Sequence, residues 1–182
     1  MTAPSGSTPF PALSAPSLTL EPVSIAHAEE MHAVLADPSI YEFLSDEPPT
    51  LEWLRAAYAR RAAGRSPDGA EQWFNWMLRR DDGRLIGYVQ ATIESRDRCW
   101  VGYVVSREGR GQGHATRAVA AMIEYLVRAH DVWRLLATVD AGNARSIALL
   151  DRLGFDLAPP HVKELAELGP DERLYQLELV SG

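Results

Sequence analysis

Gly109, Gly111 and Gly113 alternate in the stretch REGRGQGHATRA (107–118), with Arg107 and Arg110 among them and an alanine-rich apolar segment directly after. A glycine turn that opens a helix gathers main-chain N–H groups that have no intrahelical acceptor, and the helix dipole adds positive potential at the same end. Glycine lets a bulky anion come against the main chain, where each charge-assisted bond contributes about 1.5–3 kcal/mol. Phosphate or pyrophosphate is the natural guest. The spacing excludes two familiar loops. A dinucleotide fingerprint needs a further glycine where His114 or Thr116 stands, and a Walker loop needs a Gly-Lys-Ser/Thr ending. Taken alone, the glycines fit a flexible turn as well as they fit a phosphate site.

Other chemistry-bearing residues point less far. His27, His32, His114, His130 and His161 are scattered without metal-ligand spacing, so no metal site is inferred. Cys99 beside Trp100 reads as packing, with no Cys/His partner evident. As the single cysteine it excludes an internal disulfide framework and fits a reducing, cytoplasmic setting. The net charge of −7 argues against nucleic acid, because phosphate binding leaves a basic footprint, and it leaves room for a cationic substrate. No apolar run approaches a membrane span.

The elements that must position these residues follow from periodicity. Residues 1–17, rich in Pro, Ser and Ala and without a charged side chain, read as a disordered leader rather than a signal peptide, the alternative being a docking segment or a strand that packs on the body. Residues 18–182 read as one domain. LTLEPV from Leu18 alternates as a half-buried strand. Ser24 caps a helix to Ala36, which Asp37-Pro38 stops. SIYEFLSDEPP reads as a loop or irregular helix, and Thr50 caps a helix that ends at Gly64. QWFNWMLRR and RLIGYVQATI flank a DDG turn and predict a hairpin. RCWVGYVV is the next strand, followed by the glycine stretch and a helix from about Gly113 to Arg128. WRLLATV is a strand, Asn143 opens another helix closed by Gly154, Phe155 begins a strand, and ERLYQLELV ends the series. Trp53, Tyr58, Trp73 and Trp76 read as core. The order predicts an α/β (mixed α+β) fold: one mixed sheet with helices on both faces.

Residues 110–115, RGQGHA, match the Arg/Gln-x-x-Gly-x-Gly/Ala signature of the GCN5-related N-acetyltransferases. NARSIALLDRLGF resembles that family's Asn-x-x-Ser … Leu-Gly-Phe segment, after the expected strand, and VGYVV occupies the strand before the loop. The start from Leu18 resembles the ribosomal-protein N-terminal acetyltransferase branch, and the resemblance runs to about Val180. It implies a splayed sheet and acetyl-CoA as co-substrate. It places the pyrophosphate on the main chain of Arg110, Gly111, Gln112, Gly113, His114 and Ala115, with Thr116 within reach. The pantetheine lies along Tyr103, Val104 and Val105. Asn143 hydrogen-bonds the pantetheine, and Ser146 lies near the thiol. His114 keeps two readings, a phosphate contact or a surface side chain. Dimers occur in this branch, so a homodimer is one expected state.

The implied chemistry is acyl transfer from a thioester to a neutral amine. An α-amine with pKa near 8 costs about 1.4 kcal/mol to deprotonate at pH 7, and a lysine near 10.4 costs about 4.6 kcal/mol. The expected acceptor is therefore a protein or peptide α-amine. A small-molecule amine such as an antibiotic is the alternative, and a non-catalytic acyl-CoA-binding module is the non-enzyme alternative. The chain departs from its relatives at two places: Trp100 stands where the branch often has Glu, and Leu150 stands where broader relatives have a tyrosine proton donor. Ser146 is left as candidate donor, or as a plain CoA contact. Glu94 and Asp140 are candidate bases, or solvated strand-end charges. Tyr41, Phe43, Asp46 and Glu47 form an acidic, aromatic loop that suits an amine.

Overall fold

Asp81, Asp82 and Gly83 turn the chain between β3 (Gln72–Arg80) and β4 (Leu85–Ser95), and this hairpin lies inside the sheet rather than at its edge. The computed structural model describes residues 9–44, 47–164 and 166–179. The other strands are β1 (Leu13–Ala15), β2 (Leu18–Pro22), β5 (Arg98–Val105), β6 (Arg134–Asp140), β7 (Asp156–Leu157) and β8 (Glu172–Glu178). The sheet runs in the order β1-β2-β3-β4-β5-β6-β8-β7, antiparallel throughout except between β5 and β6. Alternation along the strands sends side chains to two faces. Trp76, Val89, Val101 and Leu135 meet Val119, Met122 and Leu126 of α3 (His114–His130), joined by Leu149 and Leu150 of α4 (Ala144–Arg152). On the opposite face Met77 and Leu85 meet α1 (Ala28–Leu35) and α2 (Leu51–Arg61). The expected mixed sheet with helices on both faces is what the chain forms.

The local signals act where the sequence puts them. Thr50 caps α2 by accepting the Trp53 N–H at 3.2 Å. Asp37 caps a 3-10 turn over Pro38–Phe43, accepting the Ser39 N–H at 2.9 Å. The helix expected from Ser24 is instead a 3-10 turn, Ile25–His27, leading into the shorter α1. Gly87 has a φ of +154°, and a Cβ there would collide with the Val104 carbonyl, so only glycine lets β4 lie this close to β5. Among the described residues no helix is long and apolar enough to cross a membrane.

Two further expectations are corrected, and one element went unforeseen. Residues 9–17 follow the alternative, a strand that packs on the body, in place of the disordered reading; residues 1–8 lie outside the described residues. β1 pairs with β2, and Phe10 is 4% exposed. Its ring sits 4.9 Å edge-on from Trp76, whose indole N–H donates to the Pro11 carbonyl at 2.8 Å. A polar, proline-rich composition hid one anchoring aromatic. Trp53, read as core, is 50% exposed with the Arg61 guanidinium 5.8 Å from its ring. The short α5 (Pro160–Lys163) had no periodic signal; its Val162 packs on Leu136 and Leu174.

Candidate active site

β5 and β6 pair only at Cys99–Leu135 and Trp100–Leu136, then part. Ser106 N–H donates to Ile86 O on the β4 side. By the alternation of an antiparallel ladder, the main-chain groups of Tyr103 and Val105 turn to the side that β6 has left. The gap opens into a cleft of about 590 Å³ between the glycine loop, α4 and the Pro38–Phe43 turn. Every residue expected to meet the cofactor lines it except Gln112, whose side chain donates to the Glu108 carbonyl at 3.3 Å.

The glycine loop builds an anion cradle. Gly111 (φ +77°) and Gly113 (φ +73°) adopt left-handed conformations, and Gly113 is the N-cap of α3 with no side chain closing the helix end. The N–H groups of Gly111 through Thr116 have no acceptor among the described residues. No acidic residue stands in the first turn of α3, so nothing competes for that positive end. Among the described residues Arg110, Arg145 and Arg152 line the cleft against one carboxylate, Glu42, giving a locally cationic site in an acidic chain.

Several predicted residues serve the frame. Arg110 donates to Val105 O at 3.2 Å and to Ser39 O at 3.0 Å, tying β5 to the 38–43 turn. The Arg107 N–H donates to Asp37 Oδ2 at 3.0 Å; this bond and that from Ser39 hold the Asp37 carboxyl below its ordinary pKa. His114 is buried, not a surface side chain, with Nδ1 3.2 Å from Gly109 O. Asn143 caps α4 by accepting the Ser146 N–H at 3.1 Å, which leaves its NH₂ group without a partner among the described residues. Ser146 Oγ lies 2.6 Å from the Tyr103 phenol oxygen.

The two candidate carboxylates stand elsewhere. Neither Glu94 nor Asp140 lines the cleft. Glu94 accepts from the Trp100 indole at 2.8 Å and from Arg98 at 3.1 Å. Asp140 accepts the Gly142 N–H at 2.7 Å and so shapes the turn that presents Asn143. Burial pushes the Cys99 thiol up to about 12, in keeping with packing. In the loop read as an acceptor rim, Tyr41 donates to the Leu35 carbonyl, Phe43 lines the cleft, Glu47 is exposed, and Asp46 lies outside the described residues. Sequence reasoning missed Glu42, which pairs with Arg145 of α4 at 3.1 Å across the cleft mouth. Its neighbour Phe43 was the available signal. Among the described residues no cluster of His, Cys, Asp and Glu could hold a metal.

The profile of the acetyltransferase (GNAT) domain matches residues 17–156, from β2 through the glycine loop to β7. The chain belongs to the GNAT acetyltransferase family. A curated relative, the ribosomal protein uS5-alanine N-acetyltransferase of Escherichia coli (strain K12), is 36% identical over 79 residues, covering 42% of this chain and 41% of the relative. The chain spans about half the length of the curated relatives it matches first. Among solved structures, RimL, a ribosomal L7/L12 α-N-protein acetyltransferase in complex with coenzyme A, superposes with a TM-score of 0.77 at 17% identity, over 93% of this chain and 98% of that one. The spermidine N-acetyltransferase of Vibrio cholerae, in complex with CoA and spermine, gives 0.69 at 18% identity, over 89% and 94%. These two likenesses are of fold. The cleft at the parting of β5 and β6, with the glycine loop at its end, lies within the span that the GNAT profile matches.

Proposed function

We propose that this GNAT chain transfers an acetyl group from acetyl-CoA to the α-amine of a protein or peptide, in a ternary complex. The observation that carries the co-substrate is the row of unpaired N–H groups from Gly111 to Thr116 at the end of a strand that β6 has left. Such a row suits a pyrophosphate. The main-chain groups of Tyr103 and the Val105 N–H, turned away from β4, with the Asn143 NH₂ also at the cleft, suit an extended, amide-bearing arm. In this reading acetyl-CoA supplies the activated acyl group. The chain's own residues hold the thioester beside Ser146, the candidate proton donor.

The α-amine acceptor is supported by the uS5-alanine N-acetyltransferase relative and by the cleft's own residues. Among the described residues Glu42 is its one lining carboxylate, and Arg145 already engages it. An acceptor that needs little help losing its proton fits best, and water carries that proton. Glu94 and Asp140, both off the cleft, are assigned supporting roles in this reading. A polyamine acceptor, as in the spermidine N-acetyltransferase neighbour, is the second reading, favoured by the overall acidity of the chain. The buried, single cysteine is compatible with a cytoplasmic setting. The test is thiol release from acetyl-CoA with an alanine-initiated peptide, a serine-initiated peptide, an N-blocked lysine peptide and spermidine. Turnover with the initiated peptides over the blocked one is expected. Turnover confined to spermidine would transfer the assignment to polyamines, and CoA binding without turnover would leave a binding module.

A further inference from the structure

We propose that the Tyr103 side chain is a positioning residue for acyl transfer: its phenol donates to Ser146 Oγ and so aims the serine's own hydrogen into the cleft at the departing thiolate. This rests on the acetyl-transfer reading above. Tyr103 comes from β5 and Ser146 from the first turn of α4, two elements that face each other only because β6 has parted from β5. Their oxygens lie 2.6 Å apart, and the same phenol hydrogen is also donated, over a longer 3.3 Å, to the Ser146 carbonyl.

In a pair of hydroxyls one donates and the other keeps a free hydrogen. A phenol, with pKa near 10, is a far stronger acid than an alkyl hydroxyl, which behaves more like water. The phenol therefore donates. Ser146 Oγ has no other partner among the described residues, so its hydrogen turns toward the cleft that both side chains line. Burial raises the Tyr103 pKa, opposed by the Ser146 bond, and the phenol stays protonated at neutral pH.

The pairing also resolves a chemical difficulty. A lone serine that protonates a thiolate would be left as an alkoxide, about seven pK units uphill from a thiol near 8.5. With Tyr103 donating into the same oxygen, charge building on Oγ is shared with a phenol. The step balances as follows. The amine lone pair forms the C–N bond, and the C–S pair leaves on sulfur. Sulfur takes the Ser146 proton, and Oγ takes that of Tyr103. The proton lost by the attacking nitrogen restores the phenol through water. Leu150, at the place where broader relatives carry a tyrosine, is buried and apolar. Here a phenol reaches Ser146 from the strand.

Tyr103→Phe, Ser146→Ala and the double variant decide the matter in the full chain. Single-turnover acetylation of an alanine-initiated peptide at saturating acetyl-CoA is read beside calorimetric CoA titration. Ser146→Ala is expected to cost up to ~10²–10⁴-fold in rate, the usual reach of one proton-transfer group, and Tyr103→Phe at least about 10-fold. CoA affinity should stay within about two-fold in each, and the double variant should match Ser146→Ala within about two-fold, because Tyr103 acts only through the serine. A wild-type rate in Tyr103→Phe overturns the proposal. So does a double variant whose losses multiply, or a Tyr103→Phe defect confined to CoA affinity. Those outcomes leave the acetyl-transfer reading intact, since wild type still turns over. A wild-type chain that binds CoA and acetylates no amine removes both.

Discussion

Gly113→Val is the sharpest test of the anion cradle. Gly113 holds a φ of +73° as the N-cap of α3, and an added Cβ would lie 2.9 Å from the Arg117 guanidinium. A β-branched residue does not tolerate that conformation, so the backbone must leave it and re-aim the N–H groups that follow. If two charge-assisted bonds to the pyrophosphate are lost, at about 1.5 kcal/mol each, CoA affinity falls on the order of 10²-fold. Strain alone costs about 1–2 kcal/mol of stability and must be separated from that effect. Gly83→Val supplies the control: its φ is +85°, a Cβ there meets nothing within 4 Å, and it sits in the β3–β4 turn outside the cleft. Both variants should lose stability in urea by similar amounts. Only Gly113→Val should lose CoA affinity by calorimetry. A folded Gly113→Val chain that binds CoA within about three-fold of wild type would refute the phosphate assignment.

Three further outcomes are expected. Phe10→Ala should destabilise the chain by about 3–5 kcal/mol in urea unfolding, because it empties a site against Phe74 and Trp76; a change under about 1 kcal/mol would mean that residues 9–17 do not anchor the fold. An α-amine should outpace the side chain of a blocked lysine peptide at pH 7, with the margin narrowing toward pH 9 as lysine deprotonates. A lysine preference at neutral pH would demand an efficient base that the cleft does not show. Burial raises the Glu21 pKa, but Arg79 and His27 outweigh it and set it below the ordinary 4.5. Its stabilising contribution is therefore complete above that value and lost as pH falls through the lowered one. Glu21→Gln should shrink the drop in urea midpoint between pH 6 and pH 3, and an unchanged drop would remove the cluster from acid unfolding.

Local physics made much of this protein readable from its residues in order. The strand periodicities, the Asp-Asp-Gly turn, the Thr50 and Asn143 caps and the glycine run each act over a few neighbouring residues, so their types and spacing are enough. That locality is why the turn geometry of the glycine run and the sheet class were legible. Contacts distant in sequence were not. Phe10 lies in a stretch whose composition suggests disorder, and only its seat between Phe74 and Trp76 makes it core. The parting of β5 from β6 after two paired residues involves strands remote in sequence, which no single segment encodes. That parting brings Tyr103 to Ser146, 43 residues away, and turns a strand tyrosine with an unremarkable alternation into half of a hydroxyl pair. It likewise leaves Glu94 and Asp140, reasonable bases by position in the chain, outside the cleft, while Glu42 meets Arg145 across its mouth. Local sequence sets which groups each element carries, but hydrogen-bond chemistry acts over about 3 Å, and separations that small between remote residues exist only once the chain has packed.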